Sequence, residues 1–134
     1  MPANWIAFAQ RDVQAADVLQ RNGIYAESCF HSQQATEKAL KAFLLYHGQT
    51  PPRIHDLLDL LARCLTFDAT LNAFQAECTT LNQYYAPTRY PDAVAAVLPA
   101  GLPGQTEAQR ALDYTRIILN NIETRISLPP APLL

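Results

Sequence analysis

The sequence predicts an all-α protein: a five-helix antiparallel up-and-down bundle with a long proline-rich loop before the last helix. Three observations support this fold class. Apolar residues recur at helical spacing in several segments, and no segment shows the alternation that is typical of a strand. Glycine, proline or a capping residue separates these segments. Most connections between them are short, which favours antiparallel packing of consecutive helices.

The first two helices are predicted to pair as a hairpin. The first spans residues 4–20, with Asn4 as its N-cap and apolar side chains three or four positions apart. Trp5 is interpreted as a core anchor. The second spans residues 24–47 and contains neither glycine nor proline. A three-residue turn, 21–23, joins the two segments, so we expect them to lie side by side and antiparallel.

Two shorter helices should follow. Residues 48–53 contain glycine and two prolines and are predicted to form a connection. The third helix is expected near residues 55–64, where four leucines can point inward and Asp56 suits the first turn. The fourth is expected from Asp68 to about residue 85, after a tight corner.

A long connection precedes the last predicted helix. Residues 86–105 contain four prolines and two glycines, and a loop of this length is more often functional or mobile than neutral. One turn of helix is expected inside it, over residues 94–98. The last helix is predicted over 106–127, with Thr106 as its cap and Gln109 completing a Thr-x-x-Gln capping box. Its inward residues are expected to be Ala108, Leu112, Thr115, Ile118 or Leu119, and Ile122. Residues 1–128 then form a single domain, and the proline-rich tail 129–134 should be disordered.

Composition excludes several classes of protein. The net charge is −2 and no basic block is present, which argues against a broad surface for duplex DNA. No apolar run approaches the ~20 residues that span a bilayer, and the first residues do not resemble a signal peptide, so we expect a cytoplasmic protein. Cys29, Cys64 and Cys78 lack metal-ligand spacing, so no metal site and no cofactor are predicted. Cys29 and Cys64 have apolar neighbours and are interpreted as buried thiols.

The second helix carries three distinct faces when its residues are placed at ~100° intervals. An apolar face should point into the core, and it consists of Ala26, Cys29, Phe30, Leu40, Phe43 and Leu44. A stripe of small residues would let another helix approach closely, and it consists of Ser28, Ala35, Ala39 and Ala42. This stripe also suggests a homodimer. The third face carries His31, Gln34, Lys38 and Lys41.

Two interpretations of the third face remain open. It can be a solvated surface stabilised by salt links, since Glu37 and Lys41 are spaced as an i,i+4 pair in the favourable order. It can also be an anion site, because two ammonium groups one turn apart, beside a carboxamide and an imidazole, suit phosphate oxygens.

Arg89 is a second candidate for phosphate binding. It lies between Pro87 and Pro91, which favour an extended backbone, and its guanidinium suits bidentate contact with phosphate. Three tyrosines close to it in sequence could stack on a base: Tyr84, Tyr85 and Tyr90. Alternatively, Arg89 pairs with an acid such as Asp92 or Glu37 and holds the loop in place.

Three segments resemble the HEPN family (higher eukaryotes and prokaryotes nucleotide-binding domains). FHSQQATEKALKAFLLYHG at 30–48 is similar to the second helix of the family. HDLLDLL at 55–61 is similar to the start of its third helix. LNQYYAPTRYPDA at 81–93 is similar to its tyrosine-rich segment, which ends in an Arg-Tyr-Pro turn. The three segments stand in the family's order and spacing.

The resemblance implies an antiparallel helical bundle that pairs as a homodimer and works beside a minimal nucleotidyltransferase in a toxin–antitoxin type of system. Many members are metal-independent ribonucleases, with an arginine, a polar residue and then a histidine four to six positions later. This chain departs from that pattern, since no histidine follows Arg89.

We therefore predict a module that binds a nucleotide, an RNA or a protein partner. The predicted binding residues are His31, Gln34, Lys38, Lys41, Tyr85, Arg89 and Tyr90. The alternative is a metal-independent ribonuclease toxin in which Arg89 acts with His31 or His55. In a third possibility the protein is purely structural, and its polar face is only solvated.

Overall fold

The structure is a computed structural model, and it describes residues 1–85 and 101–127. Helices make up most of these two ranges, and no strand occurs in them, which confirms the predicted all-α fold. The elements in chain order are α1 (Pro2–Arg21), α2 (Tyr25–Tyr46), α3 (Leu57–Leu65), the 3₁₀ helix Ala69–Phe74, α4 (Gln75–Asn82) and α5 (Gln105–Ser127). The predicted turn of helix at 94–98 and the predicted disordered tail at 129–134 lie outside the described residues.

α1 and α2 form the predicted antiparallel hairpin. The Ser28 hydroxyl donates to the backbone carbonyl of Ala16 at 2.7 Å, and Lys38, further along α2, reaches back to Asp12. Gly23 turns the chain with φ of +78°, a conformation that glycine adopts at little cost. The predicted cap Asn4 is wrong, because α1 already begins at Pro2, where proline fits a first turn that needs no backbone N–H.

α5 lies against both helices of the hairpin. Gln10 donates to Glu123 at 2.6 Å and Arg116 pairs with Asp17 at 3.6 Å, so α5 runs antiparallel to α1. The predicted inward residues of α5 are all buried: Ala108, Leu112, Thr115, Ile118, Leu119 and Ile122. The Thr115 hydroxyl lies 3.0 Å from that of Thr36 and donates to the carbonyl of Ser32, which satisfies these polar groups inside the core.

The small-residue stripe of α2 is used within the chain. Ser28, Ala35, Ala39 and Ala42 are all fully buried. The prediction of close helix approach is therefore confirmed. The stripe itself cannot serve as a dimer interface, because the chain's own helices already cover these residues.

α3 and α4 complete the bundle on the other side of α2. Asp56 is the N-cap of α3, accepting from the backbone N–H groups of Leu58 and Asp59, so the helix starts later than the predicted residue 55. Gln33 contacts the carbonyl of His55, and the Cys64 thiol contacts the carbonyl of Leu40. These contacts show that α3 runs in the same general direction as α2, which departs from the predicted alternation at this connection.

The predicted fourth helix is divided into two parts. Asp68 is an N-cap, as expected, and accepts from the backbone N–H of Thr70 at 3.0 Å. The first six residues after it form a 3₁₀ helix, and α-helical geometry begins only at Gln75. Arg125 at the end of α5 contacts both Asp68 and Thr70, which ties this corner to the last helix.

The predicted cap Thr106 is wrong, because this residue already lies inside α5. Helical geometry begins at Gln105, and the backbone N–H of Gly104 donates to the Glu107 carboxylate at 2.8 Å. Glu107 rather than Gln109 therefore makes the side-chain contact that is typical of a capping box.

The three cysteines are buried free thiols, as predicted for Cys29 and Cys64. Burial raises the pKa of each thiol to about 12. Within the described ranges, no cluster of histidine, cysteine and acidic side chains is arranged to hold a metal ion. None of the described helices is long and apolar enough to cross a membrane.

Candidate functional site

The polar face of α2 is the centre of the candidate site. The structure brings residues of three other segments to the predicted group His31, Gln34, Lys38 and Lys41. α1 contributes Asp12, the segment before α3 contributes His55, and the turn after α4 contributes Tyr85. The side chains divide into two groups, each built around one carboxylate. We call them the Asp12 cluster (Asp12, His31, Lys38) and the Glu37 cluster (Gln34, Glu37, Lys41, His55).

The Asp12 cluster joins α1 to α2. The Asp12 carboxylate accepts from His31 Nδ1 at 2.9 Å through Oδ1 and from Lys38 Nζ at 2.5 Å through Oδ2. Burial raises the pKa of Asp12, but the hydrogen bonds and charges of His31 and Lys38 outweigh burial, so the pKa is lowered overall. The imidazole of His31 is one-third exposed and the Lys38 side chain one-quarter exposed.

The Glu37 cluster is deeper. Glu37 Oε2 accepts from Lys41 Nζ at 3.0 Å, and Oε1 accepts from His55 Nδ1 at 2.9 Å and from Gln34 Nε2 at 3.4 Å. The side chains of Glu37 and Lys41 are 5% and 7% exposed, whereas His55 is about half exposed. The predicted i,i+4 salt link is therefore confirmed, but it is a buried ion pair and not a surface one.

Burial changes the interpretation of two residues. Lys41 was predicted to share an open anion-binding face, yet its ammonium group is enclosed by Glu37 and by the ring of Trp5, whose centre is 5.7 Å away. Trp5 was interpreted as a core anchor. It is only partly buried and packs on this lysine.

Both imidazoles are held in the same orientation relative to a carboxylate. An ionised carboxylate can only accept hydrogen bonds, so Nδ1 of His31 and Nδ1 of His55 each carry a hydrogen. Nε2 is then the nitrogen that remains for another partner. A neutral imidazole offers Nε2 as an acceptor, and an imidazolium offers Nε2–H as a donor.

A row of aromatic rings connects the two histidines. His31 lies 5.6 Å from Phe30, Phe30 lies 6.1 Å from Tyr85, and Tyr85 stacks on His55 at 4.4 Å, with ring planes 14° apart. Tyr85 is half-buried within this row. Tyr84 is instead in the core at 4% exposure, and burial raises the pKa of its hydroxyl to about 12, so its predicted role in base stacking is wrong.

Two predicted residues cannot be placed in this geometry. Arg89 and Tyr90 lie outside the described residues, as does Asp92, the proposed acidic partner of Arg89. Tyr85 is the last described residue before them, and it belongs to the aromatic row.

Sequence reasoning missed Asp12, which links the two helices of the site. The sequence nevertheless contained a signal for this residue. Asp12 stands between Ala9 and Ala16 at helical spacing, so it is an acid within an apolar stripe that faces the core. A second signal is that both lysines of the chain, Lys38 and Lys41, lie one turn apart in α2. An acid buried by α1 opposite these lysines is a natural partner for them.

The sequence of this chain also matches a known protein family. The HEPN domain model matches residues 3–125, which is most of the chain. The chain belongs to the HEPN family. The resemblance inferred from three segments is therefore confirmed.

Two solved structures are similar over nearly the whole chain. The crystal structure of TT1696 from Thermus thermophilus is 36% identical with a TM-score of 0.81, covering 92% of this chain and 97% of that one. The crystal structure of ST0689, an archaeal HEPN homologue, is 29% identical with a TM-score of 0.76, covering 95% of this chain and 98% of that one.

A shorter similarity links the chain to a protein named "Putative toxin MJ1304" from Methanocaldococcus jannaschii. The two are 43% identical over 44 residues, which is 33% of this chain and 29% of that protein. The match thus spans less than a third of the relative's length.

Proposed function

We propose that this HEPN protein is a binding module that receives the phosphate of a nucleotide or an RNA on the polar face of α2. The observation that carries the proposal is the convergence of His31, Gln34, Lys38 and His55 beside the aromatic row. These side chains supply hydrogen-bond donors for phosphate oxygens and rings beside which a base can lie. Arg89 and Tyr90 complete the proposed set.

In this proposal Lys41 does not contact the ligand, although it was predicted to bind phosphate. Its ammonium group is buried and bound to Glu37. Lys41 therefore contributes indirectly, by holding in place the carboxylate that orients His55. Lys38 is the lysine that a ligand can reach.

Binding can be measured directly by calorimetry with ATP, GTP and a short RNA. Lys38→Ala should weaken binding because it removes an accessible cation, whereas Arg63→Ala should not, since Arg63 pairs with Asp59 on α3 and lines a different cleft, beside Thr66 and Phe67. No heat with any of the three ligands would contradict the proposal.

We further propose that the protein works as a homodimer with a small nucleotidyltransferase in a toxin–antitoxin type of system. The family membership and the partial similarity to "Putative toxin MJ1304" support this assignment. Phe8, Val18 and Ile117 are at least half exposed and supply apolar surface on α1 and α5 for association. Sedimentation that finds only a 14.9 kDa species at about tens of micromolar protein would contradict the dimer.

The product of the adjacent gene, tested by pull-down from the native host, would identify or exclude the proposed partner.

A second candidate function is metal-independent cleavage of RNA. The observation that favours it is the pair of carboxylate-bound imidazoles, because Nε2 of such a ring can accept a proton from a ribose 2′-hydroxyl or donate one to the leaving oxygen. A phosphate clamp is also needed, and Arg89 is the candidate.

The family pattern in which a histidine follows the arginine is absent from this chain, so we expect binding without cleavage. Purified protein is incubated with labelled RNA in EDTA, beside Arg89→Ala and His31→Ala variants. Cleavage by the parent that both variants abolish would establish the ribonuclease. Cleavage that survives both substitutions would indicate a contaminating enzyme.

A further inference from the structure

Every lysine on the polar face of α2 is already matched by a carboxylate. Lys38 is bound to Asp12 and Lys41 to Glu37, so the four groups together carry no net charge. An anion that approaches this surface gains less from each ammonium group than it would from an unpaired one, because the partner carboxylate offsets part of the attraction. A net positive charge on this surface therefore requires a further group.

The two imidazoles are the groups that can supply this charge within the described part of the surface. His31 and His55 are the most exposed members of their ion pairs, and each already donates through Nδ1 to a carboxylate. A phosphate oxygen is an acceptor, so contact with Nε2 requires that Nε2 also carries a hydrogen. A ring that donates through both nitrogens is an imidazolium.

We propose that phosphate binding by this protein is linked to proton uptake by His31 and His55, with Asp12 and Glu37 acting as positioning residues. This inference rests on the proposed function, and it names the groups that contact the ligand. Each imidazole that engages a phosphate oxygen takes up one proton at Nε2. The carboxylate on Nδ1 stabilises the resulting imidazolium and keeps Nε2 directed away from the acid.

The surroundings of His31 favour this coupling. On α1 it faces Asp12, and on its own helix it faces Lys38, while Glu27 lies one turn before it. The two acids would offset the charge of an imidazolium here, whereas Lys38 adds a second positive charge. A phosphate that binds both the imidazolium and Lys38 would offset this second charge.

His55 has similar surroundings. From α2 it meets Glu37 and the paired Lys41, and from the turn after α4 it meets the stacked ring of Tyr85. Arg53 and Asp56 are its charged neighbours in sequence.

The test is calorimetry with a short RNA whose ends are hydroxyl groups, since its internal phosphodiesters keep a constant charge near neutral pH. Titrations at about pH 6 and about pH 8, in buffers with different ionisation heats, give the affinity and the number of protons taken up. We expect affinity that is about tenfold stronger at the lower pH and a net uptake of at least about one proton. Titrations with ATP, compared between parent and variants, show whether a free nucleotide is bound through the same groups.

Matched variants assign the protons to residues. His31→Gln and His55→Gln should each reduce the proton uptake, whereas His47→Gln should not, since His47 packs between Phe43 and Phe67. Asp12→Asn should raise the affinity at about pH 8, because it frees Lys38, and should weaken the pH dependence. Asp17→Asn, a change of the same chemistry on the same helix, is its control. Urea unfolding of each variant confirms that it folds.

The outcomes separate this inference from the proposed function. Binding of RNA or ATP to the parent protein without histidine-dependent proton uptake would overturn the inference and leave the binding module intact. Binding of neither ligand at either pH would remove both. Proton uptake that persists in the two histidine variants would also overturn the inference.

Discussion

The Asp12 cluster and the Glu37 cluster are built on the same plan but differ in depth. Each has a carboxylate that accepts from one lysine and from Nδ1 of one histidine. In the Asp12 cluster the lysine is one-quarter exposed, and in the Glu37 cluster it is almost fully buried. Burial therefore distinguishes two otherwise equivalent sets of charges.

This difference in burial gives the two lysines different roles, one in protein stability and the other in ligand binding. A charge that is removed from water depends on its partner, because an unpaired buried ion is costly. A charge that remains partly in water can exchange its partner for a ligand at little cost. We therefore assign Lys41 mainly to folding and Lys38 mainly to ligand contact, whereas the sequence alone made the two lysines equivalent.

The largest expected effect is that of Lys41→Met. The substitution leaves the Glu37 carboxylate buried without its ammonium partner, and His55 and Gln34 only partly compensate. We expect the free energy of unfolding to fall by about 3 kcal/mol. Urea denaturation followed by circular dichroism measures this change.

Lys38→Met is the control for this substitution, since it makes the same chemical change one turn away. Equal losses of stability in the two variants would show that depth does not distinguish the clusters. The double variant Glu37→Gln/Lys41→Met should recover part of the loss, because it removes both charges of the buried pair.

An intermediate effect is expected from Asp12→Asn, and it should depend on pH. The folded state lowers the pKa of Asp12 below its ordinary value of 3.8, so the unfolded chain binds this proton more tightly. The carboxylate therefore stabilises the fold above that value, and the stabilisation is lost as the pH falls through the lower, folded pKa. We expect Asp12→Asn to cost about 1 to 2 kcal/mol at neutral pH.

Unfolding of the parent and of Asp12→Asn, measured from about pH 7 to about pH 2, tests this sign. The difference between the two proteins should shrink as the solution becomes acidic. A difference that stays constant, or grows at low pH, would show that Asp12 is not stabilised as a carboxylate in the folded protein.

The smallest effect on stability is expected for Lys38→Met. Its ion pair is partly exposed, so its loss should change the free energy of unfolding by about 0 to 1 kcal/mol. The same substitution should clearly weaken the affinity for RNA. A variant that binds RNA normally would place the ligand elsewhere on the protein.

Much of the fold could be predicted because the apolar pattern of long helices is unambiguous. All of the inward positions proposed for α5 are buried, and the second helix ends within one residue of its predicted limits. The start of α1 and the 3₁₀ helix before α4 were missed. The start of α1 at Pro2 and the helical geometry after Asp68 depend on the packing of neighbouring segments. The periodicity of apolar residues does not reveal this packing.

The site was predicted less completely than the fold. The face of α2 with His31, Gln34 and Lys38 could be recognised, because these residues share one helix. Asp12 was missed although it stands within the apolar stripe of α1. The contact of His55 with Glu37 could not be predicted, since it joins elements that are distant in sequence. The burial of Lys41 could not be predicted either. Helical spacing places Lys41 on the same face as Lys38, and only the packing of Trp5 and Glu37 around Lys41 shows that it is enclosed.

The protonation of the two imidazoles is the most direct test of the account. Nitrogen-15 NMR of the labelled protein reports the state of Nδ1 and Nε2 in each histidine ring during titration with the RNA at about pH 8. In the free protein, Nδ1 of His31 and His55 should carry a hydrogen while Nε2 does not. On saturation with RNA, Nε2 of both rings should become protonated, and His47 should not change. RNA binding that leaves both Nε2 atoms unprotonated would contradict the account.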